Sequence, residues 1–183
     1  DSTTSYEVIN GASIDRPLKN FHFVTDEAKK EAVLDNPLIL IVENQIENVG
    51  KIQGVLEYII KNNKQLLIIG EADDQVIQAL AMNKVKGNIK VNVIDTPDFG
   101  VYRKEKLQDL ALLTGATVIN EDLGDDLDIV DVAHLGSCLK SITNSEETII
   151  QVESTTEEVQ AVIDTVKKEI EDEKFFVLNF FFN

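Results

Sequence analysis

The chain has 183 residues with 33 acidic against 17 basic side chains, a formal net charge of −16, 43% hydrophobic residues and a single cysteine. That length holds one ordinary domain with a real core, and the charge repels both nucleic acid and an anionic membrane surface. One cysteine, Cys138, excludes a disulfide framework and a cysteine-based zinc site, and the apolar runs are far too short to span a bilayer.

Two short extended pieces come first, around Tyr6–Ile9 and Phe21–Thr25. Leu38 to Val42 follows Pro37 as an unbroken, β-branched apolar run, the pattern of a strand buried on both faces. Ile46 to Asn62 reads as a helix with Val49, Ile52, Val55, Leu56, Ile59 and Ile60 on one broad arc, and Asn62-Asn63 ends it. Gln65 to Ile69 is a second buried strand closed by Gly70. Asp73 to Lys86 is a second helix, with Asp73 or a neighbour as N-cap and Gly87 past its end. Lys90 to Ile94 and Thr117 to Ile119 are strands on either side of a helix from Lys104 to Thr114, which Gly115 stops.

This β-α-β-α-β-α-β order predicts an α/β fold: a mostly parallel sheet flanked by helices, joined by right-handed crossovers. An added flank is a hairpin over 137–152, with Asn144-Ser145 turning between Leu139–Thr143 and Thr148–Val152. Thr155 to about Lys174 reads as an acidic helix with Val159, Val162, Ile163, Val166 and Ile170 as its apolar stripe. No internal repeat or linker divides the chain, so residues 1–183 form one domain in this reading. The chain opens on Asp1 without a signal peptide, which reads as an excised or processed piece of something larger.

A search for catalysis comes back empty. The acidic run from Glu121 to Asp128 has its glycine, Gly124, too early for a calcium loop, and Leu127 interrupts the ligand alternation. His22 and His134 share no metal-ligand spacing with Cys138 or with a carboxylate pair. Asp98-Phe99-Gly100 copies a kinase magnesium motif, but the accompanying glycine loop, lysine and catalytic loop are missing. Neither usual phosphate cradle nor a nucleophile elbow occurs.

The second helix stands out. Val76, Ala79 and Leu80 fall on one side, and Ile77, Ala81, Met82 and Val85 spread around the other. A helix apolar almost all round is either buried on two sides or presents side chains to a partner. Pattern alone favours burial. Met82, the only methionine, has the flexible thioether that suits a surface accepting varied shapes.

Read continuously, the sequence resembles the apical domain of GroEL-type (type I) chaperonins from about Tyr6 to Lys174. Asn10 to Arg16 is similar to the family's E-G-M-Q-F-D-R entry, and Leu38–Val42 and Gln65–Glu71 to its two apolar strands. Thr96-Pro97-Asp98-Phe99-Gly100-Val101-Tyr102-Arg103-Lys104 resembles A-P-G-F-G-D-R-R-K. Leu107–Ala111 resembles L-Q-D-I-A, and Leu113–Ile119 resembles L-T-G-G-T-V-I. The resemblance implies a chaperonin apical-domain-like fold that captures non-native polypeptides and the mobile loop of a co-chaperonin lid. The parent would be a subunit of a seven-membered ring. It would be an ATPase using ATP and magnesium through an equatorial domain that this chain lacks, as it lacks the intermediate domain. The fragment itself is expected to be no enzyme and to carry no cofactor or metal.

Carried over by position, the polypeptide-binding face comprises Leu18, His22 and Phe23 from an extended segment, Gln53 and Leu56 from the first helix, and Ile77, Ala81 and Met82 from the second. The resemblance thus tips the second helix towards a binding role, with Ile77 and Met82 exposed for a client. His22, Gln53 and Ala81 stand where the family has larger apolar groups. A glutamine in place of a leucine forfeits roughly 1.5–3 kcal/mol of apolar burial at such a contact. Asp98 stands where the family has glycine, Val101-Tyr102 replaces Asp-Arg, and the Phe175–Phe182 end replaces a charged helix. The wording of Phe23–Asp26 and Ala32–Leu34 leans to the plastid branch, which implies an organellar matrix or stroma, and otherwise a bacterial cytoplasm.

Two rival readings remain at this point. One is a small α/β enzyme or receiver-like domain using strand-end carboxylates such as Asp73, Asp74 and Asp95. The other is a ring-assembly module with a degenerate client face.

Overall fold

The structure, a computed structural model, describes residues 5–98, 100–121, 130, 132–153 and 175–182. Ten strands and three α-helices are described: β1 (Ser5–Ile14), β2 (Ala32–Asp35), β3 (Leu38–Val42), α1 (Gln53–Lys61), β4 (Gln65–Ile69), α2 (Asp74–Val85), β5 (Lys90–Ile94), α3 (Gly100–Thr114), β6 (Val118–Ile119), β7 (Gly136–Ser137), β8 (Lys140–Thr143), β9 (Thr148–Val152) and β10 (Phe175–Phe182).

The fold is α/β with two sheets. The first runs β5-β4-β3-β6, all parallel, with β7 antiparallel on β3. Its central strands are apolar on both faces because both faces are covered. Leu40, Val42, Leu66, Ile68, Val91 and Val93 pack beneath α1 and α2. Ile39, Ile41, Leu67, Ile69 and Ile94 face α3 through Leu107, Leu110 and Ala111. The second sheet is antiparallel, in the order β10-β1-β9-β8-β2. Asn92 on β5 joins the two sheets: its buried Nδ2 donates to Thr143 Oγ1 on β8 at 3.0 Å, and that hydroxyl lies 2.9 Å from Thr148 Oγ1 on β9.

Several expectations hold to the residue, including β3, β4 and β5. Gly87 and Gly115 close α2 and α3 with φ of 78° each, a left-handed conformation that glycine adopts without steric cost. The hairpin turns where expected, with the Asn144 N–H donating to the Glu147 carbonyl at 2.9 Å.

Other expectations need correction. The first helix does not begin at Ile46. That residue is fully buried in an extended bridge to Ala72, with its N–H on the Glu71 carbonyl at 2.7 Å and its own carbonyl accepting from the Asp73 N–H at 3.0 Å. A 3-10 turn over Val49–Ile52 then leads into α1. Phe21–Phe23 is likewise a 3-10 turn rather than extended, because the Asn20 side chain accepts the His22 N–H at 2.8 Å. The third helix starts earlier than expected, at Gly100. The Phe-rich segment 175–182 is a strand, antiparallel to β1 from Ser5↔Phe182 to Ala12↔Phe175. The helix expected over 155–174 and the Asp122–Asp128 part of the acidic run lie outside the described residues. Among the described residues no helix is long and apolar enough to cross a membrane.

Candidate functional site

α1 and α2 lie on one face of the parallel sheet, and the segment from Leu18 to Val24 packs beside α2. In α2 the buried side chains are Val76, Leu80, Ile77 and Ala81. At about 100° per residue they fill a single arc of roughly 140°. Lys84 falls within that arc and stays half-buried, its Nζ donating to the Val24 carbonyl at 2.6 Å. This bond straps the turn that carries Phe23 to the helix. Phe23 is fully buried in the same apolar cluster as Leu56, Ile77 and Ala81, with Leu18 partly buried against it.

Four of the eight expected face residues, Phe23, Leu56, Ile77 and Ala81, are therefore core. Ile77 and Ala81 are only 5% and 2% exposed, so the expectation that Ile77 waits open for a client is corrected. The physical reason is the Phe21–Phe23 turn, which covers a second flank of α2 that a helix resting on a sheet alone would leave bare. Met82, 54% exposed, keeps its expected position at the surface. His22 and Gln53 are exposed but engaged. His22 Nδ1 lies 3.0 Å from Asn20 Oδ1, and Gln53 Nε2 donates to Glu57 Oε1 at 3.0 Å, one turn along α1.

The structure adds apolar surface that the sequence reading left out of the face. Val85, next to Met82 on the open side of α2, is 56% exposed. Ile60, on the broad apolar arc of the first helix, is 52% exposed, and Phe21 is 61% exposed. Val85 was legible from its spacing, three residues after Met82. Phe21 and Ile60 were not: Ile60 directly follows the fully buried Ile59, and Phe21 shares its short turn with the fully buried Phe23.

The strand-end carboxylates do not converge on one site. Asp95 pairs with Lys19 at 2.9 Å, and Asp73 accepts a hydrogen bond from Gln45 Nε2. Glu71 Oε1 accepts from Thr96 Oγ1 and Arg103 Nη2, both at 3.3 Å, while Asp74 is exposed. Asp98 adopts a left-handed φ of 62°, and its carboxylate pairs with Lys106 at 2.9 Å. His134 lies in a short 3-10 turn, its carbonyl accepting from the Thr117 N–H. Cys138 is buried, and that burial pushes its thiol up to about 12. No protein-family model matches the chain.

Proposed function

We propose that this chain is a polypeptide-binding domain of the chaperonin apical type, working by apolar capture rather than by catalysis. The observation that carries the reading is the open flank of α2, where Met82 and Val85 are each more than half exposed beside a well-packed core. An exposed apolar pair on a rigid helix captures extended segments at little ordering cost to the protein. The parallel sheet with α1 and α2 on one face also agrees with the resemblance. So does Asp98, which stands at a family glycine and takes the left-handed backbone that glycine favours.

On this reading the clients are non-native polypeptides and the mobile loop of a co-chaperonin lid. The working assembly is a seven-membered ring whose ATP and magnesium are handled by other domains. The face is smaller than the eight-residue set: Met82 and Val85 make contact, while Phe23, Leu56, Ile77 and Ala81 hold them in place. The separate partners of Asp73 and Asp95 give the strand-end enzyme reading no support of its own.

The test is light scattering of a chemically denatured client diluted into buffer with and without the 183-residue chain. The wild type is expected to slow aggregation, and the double variant Met82→Ser/Val85→Ser to lose most of that effect while keeping its fold. Undiminished protection by the folded double variant would remove α2 as the capture surface.

A further inference from the structure

The parallel sheet separates charge end from end. At the carboxyl ends of its strands stand Glu43, Glu71, Asp73 and Asp95, and four cations there are paired: Lys19 with Asp95, Arg103 with Glu71, Lys106 with Asp98, and Lys51 with Glu121 at 4.0 Å. The opposite end is built from the last turns of α1 and α2, the starts of β4 and β5, and the end of β2, where the Asp35 N–H donates to Gln65 Oε1 at 2.9 Å. No Asp or Glu occurs in the sequence from Tyr58 to Gly70 or from Gln75 to Ile94. Lys61, Lys64, Lys86 and Lys90 are exposed there, and among the described residues none has a carboxylate within ion-pairing distance.

Register brings these lysines together. Gln65 of β4 pairs with Lys90 of β5, so Lys64 lies one residue from that pair, and Lys86 precedes Lys90 by one short turn. Lysines at helix ends complement the helix dipole, which accounts for Lys61 and Lys84. Lys64 and Lys90 lie beyond both helices and have no such reason. Three of the exposed apolar groups sit at the same end, Ile60 directly before Lys61 and Met82 and Val85 in the last turn of α2 before Lys86, whereas Val101 and Tyr102 are exposed at the start of α3. A cleft of about 360 Å³ also opens here, with Val33, Ile89 and Val91 beneath Lys84 and Lys90. Its carboxylate, Asp35, is paired with Lys140 at 3.6 Å.

We propose that this end of the sheet is a docking surface for acidic, apolar polypeptide segments. Ile60, Met82 and Val85 take the apolar side chains, and Lys61, Lys64, Lys86 and Lys90 take the carboxylates. The inference rests on the polypeptide-binding reading and narrows it to a class of segment. It also runs against the whole-molecule field, since a chain of net charge −16 attracts cationic peptides at long range. Local complementarity and global charge therefore make opposite predictions.

The experiment is fluorescence anisotropy of the 183-residue chain with three labelled synthetic peptides of equal length, alternating leucine with glutamate, lysine or glutamine. The Leu-Glu peptide is expected to bind roughly tenfold tighter than Leu-Lys at low salt, with the gap closing towards about 0.5 M salt. Lys64→Glu/Lys86→Glu/Lys90→Glu is expected to reverse the order, and the matching glutamine triple variant to level it. Met82→Ser/Val85→Ser is expected to weaken all three peptides alike. Equal or tighter binding of Leu-Lys by the wild type would overturn the charge assignment and leave apolar capture standing. A Leu-Glu preference that survives both lysine triple variants would place the acidic-segment site elsewhere. Failure of all three peptides, together with no protection of a denatured client, would overturn both proposals.

Discussion

Ile77 and Met82 are neighbours within two turns of α2, yet the structure gives them opposite roles, and paired truncations separate them. Ile77 is 5% exposed in the cluster that includes Phe23, Leu56 and Leu80. Ile77→Ala removes three buried carbons and leaves a cavity between helix and sheet, a loss of about 3 kcal/mol within the usual 2–5 kcal/mol for such changes. Met82 is 54% exposed, so less than half of its transfer free energy is at stake, and Met82→Ala costs about 1 kcal/mol or less. With a urea m-value of about 2 kcal/mol per molar, Ile77→Ala lowers the unfolding midpoint by about 1.5 M and Met82→Ala by at most about 0.5 M. Urea titrations followed by far-UV circular dichroism measure both. The same proteins, assayed for client protection, are expected to show Met82→Ala weakened while still folded. Equal midpoint shifts would mean that the Phe21–Phe23 turn does not cover Ile77, and the division between supporting and contacting residues would fall.

Thr143→Val keeps the volume of a buried side chain but takes the acceptor from Asn92 Nδ2 and the partner from Thr148 Oγ1. It is expected to cost about 1–3 kcal/mol in chemical denaturation, and an unchanged midpoint would deny the inter-sheet bond any role. The Cys138 thiol, raised by burial from 9.0 to about 12, stays neutral in the fold at pH values where an unfolded thiol ionises. Below pH 9 both states hold the proton; between about 9 and 12 only the folded state does, so its contribution to stability is lost as pH rises through that window. A Cys138→Ala variant is expected to lose less stability between pH 8 and pH 10 than the wild type, and parallel curves would refute the assignment.

Where segments announce themselves through local chemistry, the sequence was readable. β3 and β4 carry unbroken apolar runs, β5 is rich in β-branched residues around Asn92, and Gly87 and Gly115 mark helix ends that the backbone confirms. What escaped was set by partners distant in the chain. Ile46 has the spacing of a helical residue but is drawn into an extended bridge by Glu71, Ala72 and Asp73. The register of β1 against β9 and β10 depends on residues more than a hundred positions away, which no local pattern encodes. The candidate face was half legible for the same reason. Periodicity showed an excess of apolar groups on α2, but which of them are open was decided by a turn at Phe21–Phe23 that reaches α2 only through tertiary contact.

The division into two sheets also sets an order in time. The parallel sheet takes β3, β4, β5 and β6 from one continuous stretch that ends at Ile119. The antiparallel sheet instead needs β1 and β2, which precede that stretch, to meet β8 and β9, made after Leu139. On a ribosome β1 and β2 thus emerge ahead of the whole parallel sheet and wait until after it for their own partners. Their open edges must stay apart from other nascent chains until residues 140–152 have left the exit tunnel.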